Sequence, residues 1–104
     1  MELGRVQNGR VLGVEGTRRP EFHVQLLGGS ERCVLVPDGV DSVEESKIEE
    51  VRARLAGQSI QFKPSAEMGP GMYAAEIWYF KPVEEEGEVE YVSPVSLNRE
   101  LLGS

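Results

Sequence analysis

The chain has 104 residues, 39% hydrophobic and 28% charged, the make-up of one globular domain that buries enough surface to form a core without metals or disulfides. A net charge of −7 argues against general nucleic-acid binding, which needs Lys or Arg at the phosphates. The single cysteine, Cys33, excludes an internal disulfide. The charge is uneven: residues 1–36 hold five arginines against four glutamates, a balance of +1, whereas residues 37–104 hold six basic and fourteen acidic residues, a balance of −8. No stretch approaches the ~20 apolar residues of a membrane span. The opening M-E-L-G-R-V lacks the basic start and apolar middle of a signal peptide. The expected location is therefore the cytoplasm, or a virion if the chain is a phage component.

Taken in order, the chain begins with a turn signal at Asn8-Gly9 and a first strand over 10–15, with Leu12 and Val14 on one face. Gly16 to Pro20 reads as a loop carrying Arg18 and Arg19. Residues 21–27 alternate clearly, with Phe22, Val24 and Leu26 on one face and Glu21, His23 and Gln25 on the other. Gly28-Gly29-Ser30 turns the chain into a third strand, 31–36, containing Cys33 as a buried structural thiol. Ser42 and Glu45 have the spacing of a capping box and predict a helix over about 42–56, with Ile48, Val51 and Leu55 as its apolar stripe and Gly57 just past its end.

A short strand over 59–63, with Ile60 and Phe62 on one face, leads to a loop over 64–71. The next strand, Tyr73 to Pro82, holds four of the chain's seven aromatic residues, including its only tryptophan. Tyr73, Ala75, Ile77 and Tyr79 fall on one face and Ala74, Glu76, Trp78 and Phe80 on the other, so apolar bulk lies on both sides. Such a strand is central in a sheet or lies between the core and a partner. Glu84 to Glu88 is a charged hairpin tip, and residues 89–95 return as a last strand weakened by Pro94, which suits an edge. Residues 1–96 thus form one small domain, and 97–104 a tail whose Leu97, Leu101 and Leu102 need a cover.

The predicted class is α+β, a small antiparallel β-barrel or strongly curved sheet: a three-strand meander, one helix, then two or three strands. That element order over residues 9–95 resembles the OB-fold, a small Greek-key barrel, with an SH3-like barrel as the alternative. The likeness is one of order and carries no sequence motif, and fold alone does not give function.

The inventory for catalysis is thin. His23 is the one histidine, on a polar face; there is no G-x-S-x-G, G-x-G-x-x-G or P-loop, and one His with one Cys does not make a zinc site of the usual kind. The expectation is a non-enzymatic chain that uses no cofactor and no metal. The features point instead to a protein-interaction module, a small structural or adaptor subunit of a larger assembly of the phage-particle kind, whose partners are other subunits or itself. Trp78 and Phe80 would supply an interface centre, the last strand an edge for strand addition, Glu84, Glu85, Glu86 and Glu88 a contact for a basic protein surface, and Leu97, Leu101 and Leu102 a docking segment. One alternative is an acidic inhibitor of the immunity type, masking a basic site on its target. A second is an OB-like binder of single-stranded nucleic acid, with Arg18, Arg19, His23 and Arg32 at the backbone and Phe22, Tyr79 or Tyr91 stacking on bases.

Overall fold

The computed structural model describes residues 2–84 and 90–102. Its elements are β1 (Gln7–Glu15), β2 (Glu21–Leu26), β3 (Arg32–Pro37), α1 (Glu45–Leu55), β4 (Ser59–Gly69), β5 (Met72–Glu84), β6 (Glu90–Ser96) and α2 (Leu97–Leu102). β1 lies between β2 and β4, β2 pairs with β3, and β4 pairs with β5, all antiparallel. A parallel pairing of β3 with β5 closes the wall in the cyclic order 1-2-3-5-4. The result is a closed five-stranded barrel with α1 between β3 and β4, the element order that the sequence shares with the OB-fold. β6 is an extra strand on β5.

Period-two alternation places the inward row. Val11, Val14, Phe22, Val24, Leu35, Ile60, Phe62, Ala75, Ile77 and Tyr79 are buried. α1 adds Val51 and Leu55 to the same cluster. Each large apolar side chain buried in this way contributes roughly 1.5–3 kcal/mol, so this row outweighs the surface ion pairs, which are worth at most about 1 kcal/mol each.

Four local expectations are corrected. Asn8-Gly9 is not a turn: both residues are in β1, and a Cβ at Gly9 would stand 2.3 Å from Val24 Cγ1. Glycine is there because the Val24 and Phe62 side chains, from the strands on either side of β1, fill the space a Cβ would take. Leu12 and Val14 do not share a face. A register shift between Val11 and Gly13 puts Leu12 outside and keeps Val11 and Val14 inside. The capping box does not form: α1 starts at Glu45, Glu44 is its N-cap and no side chain caps it. Tertiary structure overrides the local signal here, because Val40 is buried and Val43 N–H donates to Arg18 O at 2.5 Å, which commits residues 40–43 to crossing the barrel end. Finally, the chain after Lys63 continues as strand to Gly69, with register shifts between Pro64 and Ala66 and between Glu67 and Gly69. The missing N–H of Pro64 is tolerated because the β1 pairing of β4 ends at Phe62.

At the opposite end, expectation and structure agree. Gly57 follows the C-cap Ala56 of α1, and its N–H donates to Val11 O at 2.8 Å, tying the helix end to β1. In the β1–β2 loop, Gly16 has φ +98°, and a Cβ there would lie 2.1 Å from Arg19 O. Only glycine makes this turn.

Candidate functional site

β5 is the longest strand and changes partners along its length. Residues 72–75 pair with β3 on one edge, and residues 72–79 pair with β4 on the other. The β4 pairing ends at Tyr79, and beyond it β5 runs on with β6 alone, Phe80 opposite Pro94 and Glu84 opposite Glu90. The chain therefore leaves the barrel as a two-stranded ribbon. Tyr79 points inward and is buried, Trp78 is half-buried on the outer face between Gln61 of β4 and Ser96 of β6, and Phe80 is 37% exposed beside exposed Pro94. Glu76, Trp78, Pro94, Ser96, Arg99 and Glu100 line a depression of about 620 Å³ on this face.

The hydrogen-bond phase of β5 decides which groups its edges present. Ala75 C=O accepts from Asp38 N–H, and Ile77 N–H donates to Asn98, so the odd-numbered residues point away from β4. Tyr79 shares that phase and addresses β6, and the pairs Phe80–Pro94 and Pro82–Val92 are then the non-hydrogen-bonded ones. The ring nitrogens of Pro82 and Pro94 therefore lie on the two outer edges of the ribbon. Each edge is interrupted by one missing donor, a recognised way of blunting strand addition. β6 is the edge strand of the sheet, as the sequence predicts from Pro94, with β5 as its one described neighbour.

The expectation of a docking tail is corrected too. Leu97 is fully buried and Leu101 is 4% exposed, both in the barrel's own core, while Leu102 is 61% exposed. The tail folds back because α2 answers two needs at the point where β5 changes partners. Asn98 Oδ1 accepts from Ile77 N–H at 2.9 Å, and its Nδ2 donates to Ala75 O at 3.0 Å and Asp38 O at 2.9 Å. Two residues on, the Glu100 carboxylate accepts from Tyr79 Oη at 2.7 Å and from Arg54 Nη2 at 3.0 Å, with Lys47 Nζ at 3.8 Å. The Arg54 guanidinium also lies 4.9 Å from the Tyr79 ring centroid. Burial alone raises Glu100, but the hydrogen bonds from Tyr79 and Arg54 outweigh it and hold the carboxyl below its ordinary value. Burial and the bond to Glu100 push the Tyr79 hydroxyl up. Neither Asn98 nor this cluster shows in the sequence, because their partners lie 21 to 60 residues away.

The residues nominated for nucleic acid lie on another wall. A groove of about 380 Å³ on the outside of β1, β2 and β3 is lined by His23 and Arg32 with Leu12, Gly13, Glu15 and Val34. His23 Nε2 is 3.2 Å from Glu15 Oε2. Arg18 and Arg19 lie in the β1–β2 loop and do not line this groove, so the structure brings together two of the four. Phe22 and Tyr79 are buried in the core, which removes both as stacking platforms. Cys33 is buried, and burial pushes its thiol up to about 11, in keeping with a structural role. Glu85, Glu86 and Glu88, and the side chains of Glu84 and Tyr91, lie outside the described residues. Among the described residues no group of three His, Cys, Asp or Glu is placed to hold a metal, and no helix is long and apolar enough to cross a membrane.

Compared with protein-family models, with curated proteins and with solved structures, the chain matches none.

Proposed function

We propose that the chain is a non-enzymatic protein-interaction module, an adaptor or small subunit of a larger assembly, which meets its partner through the outer face of β5. The observation that carries this reading is the departure of β5 from the barrel after Tyr79, which leaves Phe80 exposed beside Pro94 on a ribbon that the closed wall does not need. An exposed aromatic next to a half-buried tryptophan is the make-up of an interface centre.

Within this reading an adaptor is favoured over a shell component. A shell component needs apolar patches at two or more separate surfaces, and Leu97 and Leu101 are spent on the core. The inhibitor alternative draws on the acidity of this part of the sequence: residues 76–100 hold seven glutamates against Lys81 and Arg99, a net of −5. The nucleic-acid alternative is disfavoured by that charge and by the burial of Phe22 and Tyr79. The location follows the partner, in the cytoplasm or in a virion.

The test is site-specific photocrosslinking in the source cell, with a photoreactive phenylalanine analogue at Phe80 and, in a second sample, at Leu12 on the β1 wall. A discrete heteromeric adduct at Phe80 and none at Leu12 is the expected result. Adducts at neither position, or at Leu12 alone, overturn the reading.

A further inference from the structure

Where α2 meets the outer face of β5, two side chains carry hydrogen-bond donors that the fold leaves unused. Arg99 is exposed and Trp78 half-buried, and neither the guanidinium nor the indole N–H meets an acceptor among the described residues. Both line the depression on this face, with Pro94 and Val95 as its apolar wall. The carboxylates beside them are already matched. Glu76 lies opposite Lys63 of β4 on the same face, and Glu100 is held by Tyr79, Arg54 and Lys47. The lining thus suits an occupant that accepts hydrogen bonds, donates few and is otherwise apolar. A proline-rich segment has that make-up: each proline offers a carbonyl and no N–H, and the polyproline II helix leaves those carbonyls free. Resting on the reading above, we propose that this face takes a neutral proline-rich segment of a partner protein in the polyproline II conformation, its rings against Trp78 and Phe80 and its carbonyls toward the Trp78 and Arg99 donors.

Other occupants meet an obstacle at these residues. An added strand needs a continuous ladder, and Pro94 interrupts the one that β6 offers. A basic segment would find Glu76 and Glu100 already matched. A carboxylate-bearing segment would pair with Arg99 only by approaching a chain of net charge −7. A second copy, docked by the same face across a two-fold axis, would set donors against donors.

The experiment titrates the full chain with a deca-proline peptide and follows the emission of Trp78, the sole tryptophan. A glycine-serine peptide and an oligoglutamate peptide of equal length are the controls. A saturable emission change with deca-proline is expected, with no response to either control. Arg99→Met, which keeps the stem and removes the donors, should bind about fivefold more weakly, the loss of one hydrogen bond, while its thermal melt stays that of the parent. Phe80→Ser should weaken binding as well, and Arg32→Met on the opposite wall should not. No saturable change, parental affinity in Arg99→Met, or an equal response to oligoglutamate would each overturn the proposal. Failure of the underlying reading looks different: deca-proline binds as expected, yet crosslinking at Phe80 captures no partner. A partner captured at Phe80 by a chain that ignores deca-proline overturns the proline-rich occupant alone.

Discussion

The two parts of β5 both carry aromatic residues but have different surroundings. From Met72 to Tyr79 the strand is a stave of the barrel, flanked by β4 along its length and by β3 at its start, with Ala75, Ile77 and Tyr79 in the core. From Phe80 onward it has one neighbour, β6, and an aromatic residue in solvent. On the outer face, Trp78 is half-buried between Gln61 and Ser96, whereas Phe80, the next residue on that face, is 37% exposed. Hydrophobicity along a strand thus reports two different things, cohesion where a wall closes around it and availability where it does not. The boundary is drawn by hydrogen-bond partners, since the β4 pairing stops at Tyr79 and β6 alone continues beyond it.

The sharpest way to break this comparison is to truncate one residue from each half. Ile77→Ala should cost about 2–5 kcal/mol, as for other large-to-small core changes, read as a lower urea midpoint. Phe80→Ala should stay within about 0.5 kcal/mol of the parent. Equal losses would mean that the ribbon is part of the core after all. Next in size is Asn98→Ala, which leaves the buried Ile77 N–H without its acceptor and should cost about 1–3 kcal/mol. Amide exchange should then speed up at Ile77 while Val11, whose N–H is bonded to Gln58 O, keeps its protection. A uniform loss of protection would deny a local role.

A smaller effect is expected from Glu100→Gln, and it depends on pH. The folded state holds Glu100 below its ordinary value of 4.5, so it binds a proton less readily folded than unfolded. Its contribution is complete above that ordinary value and drains away as pH falls through the lower folded-state value. The gap between the parent and Glu100→Gln should therefore be widest at neutral pH and close in acid. A gap independent of pH would point to packing as the source. The smallest effect on stability belongs to Phe80→Ser, whose consequence is expected in binding alone.

Much of the barrel was legible because its signals are local. The alternation of Phe22 and Val24 and the spacing of Ile48, Val51 and Leu55 each name a face without reference to the rest of the chain. The two-sided aromatic strand was also legible as a strand with a divided role. The rest depends on distant partners. Ser42 and Glu45 have a helix-capping spacing, but Val43 is bound to Arg18, 25 positions earlier. Asn98 is an ordinary tail residue until the gap between the β3 and β6 pairings of β5 gives it three backbone partners. The closing pair β3–β5 is parallel and joins residues such as Val34 and Met72, far apart in sequence and unmarked by any pattern. For the candidate site, Trp78 and Phe80 were readable from their phase, while the loss of Leu97 and Leu101 to the core was not.

The ribbon also has a length rule. Its two arms beyond Phe80 and Pro94 bond to each other and to no other described strand, so barrel closure sets no limit on how far they run. Because strand faces repeat every two residues, equal trimming or extension of both arms by two residues preserves the backbone phase of the ribbon. A change of one residue in each arm inverts the residues distal to it. The ribbon can therefore be lengthened, shortened or exchanged as a cassette in steps of two, with the barrel serving as a fixed mount.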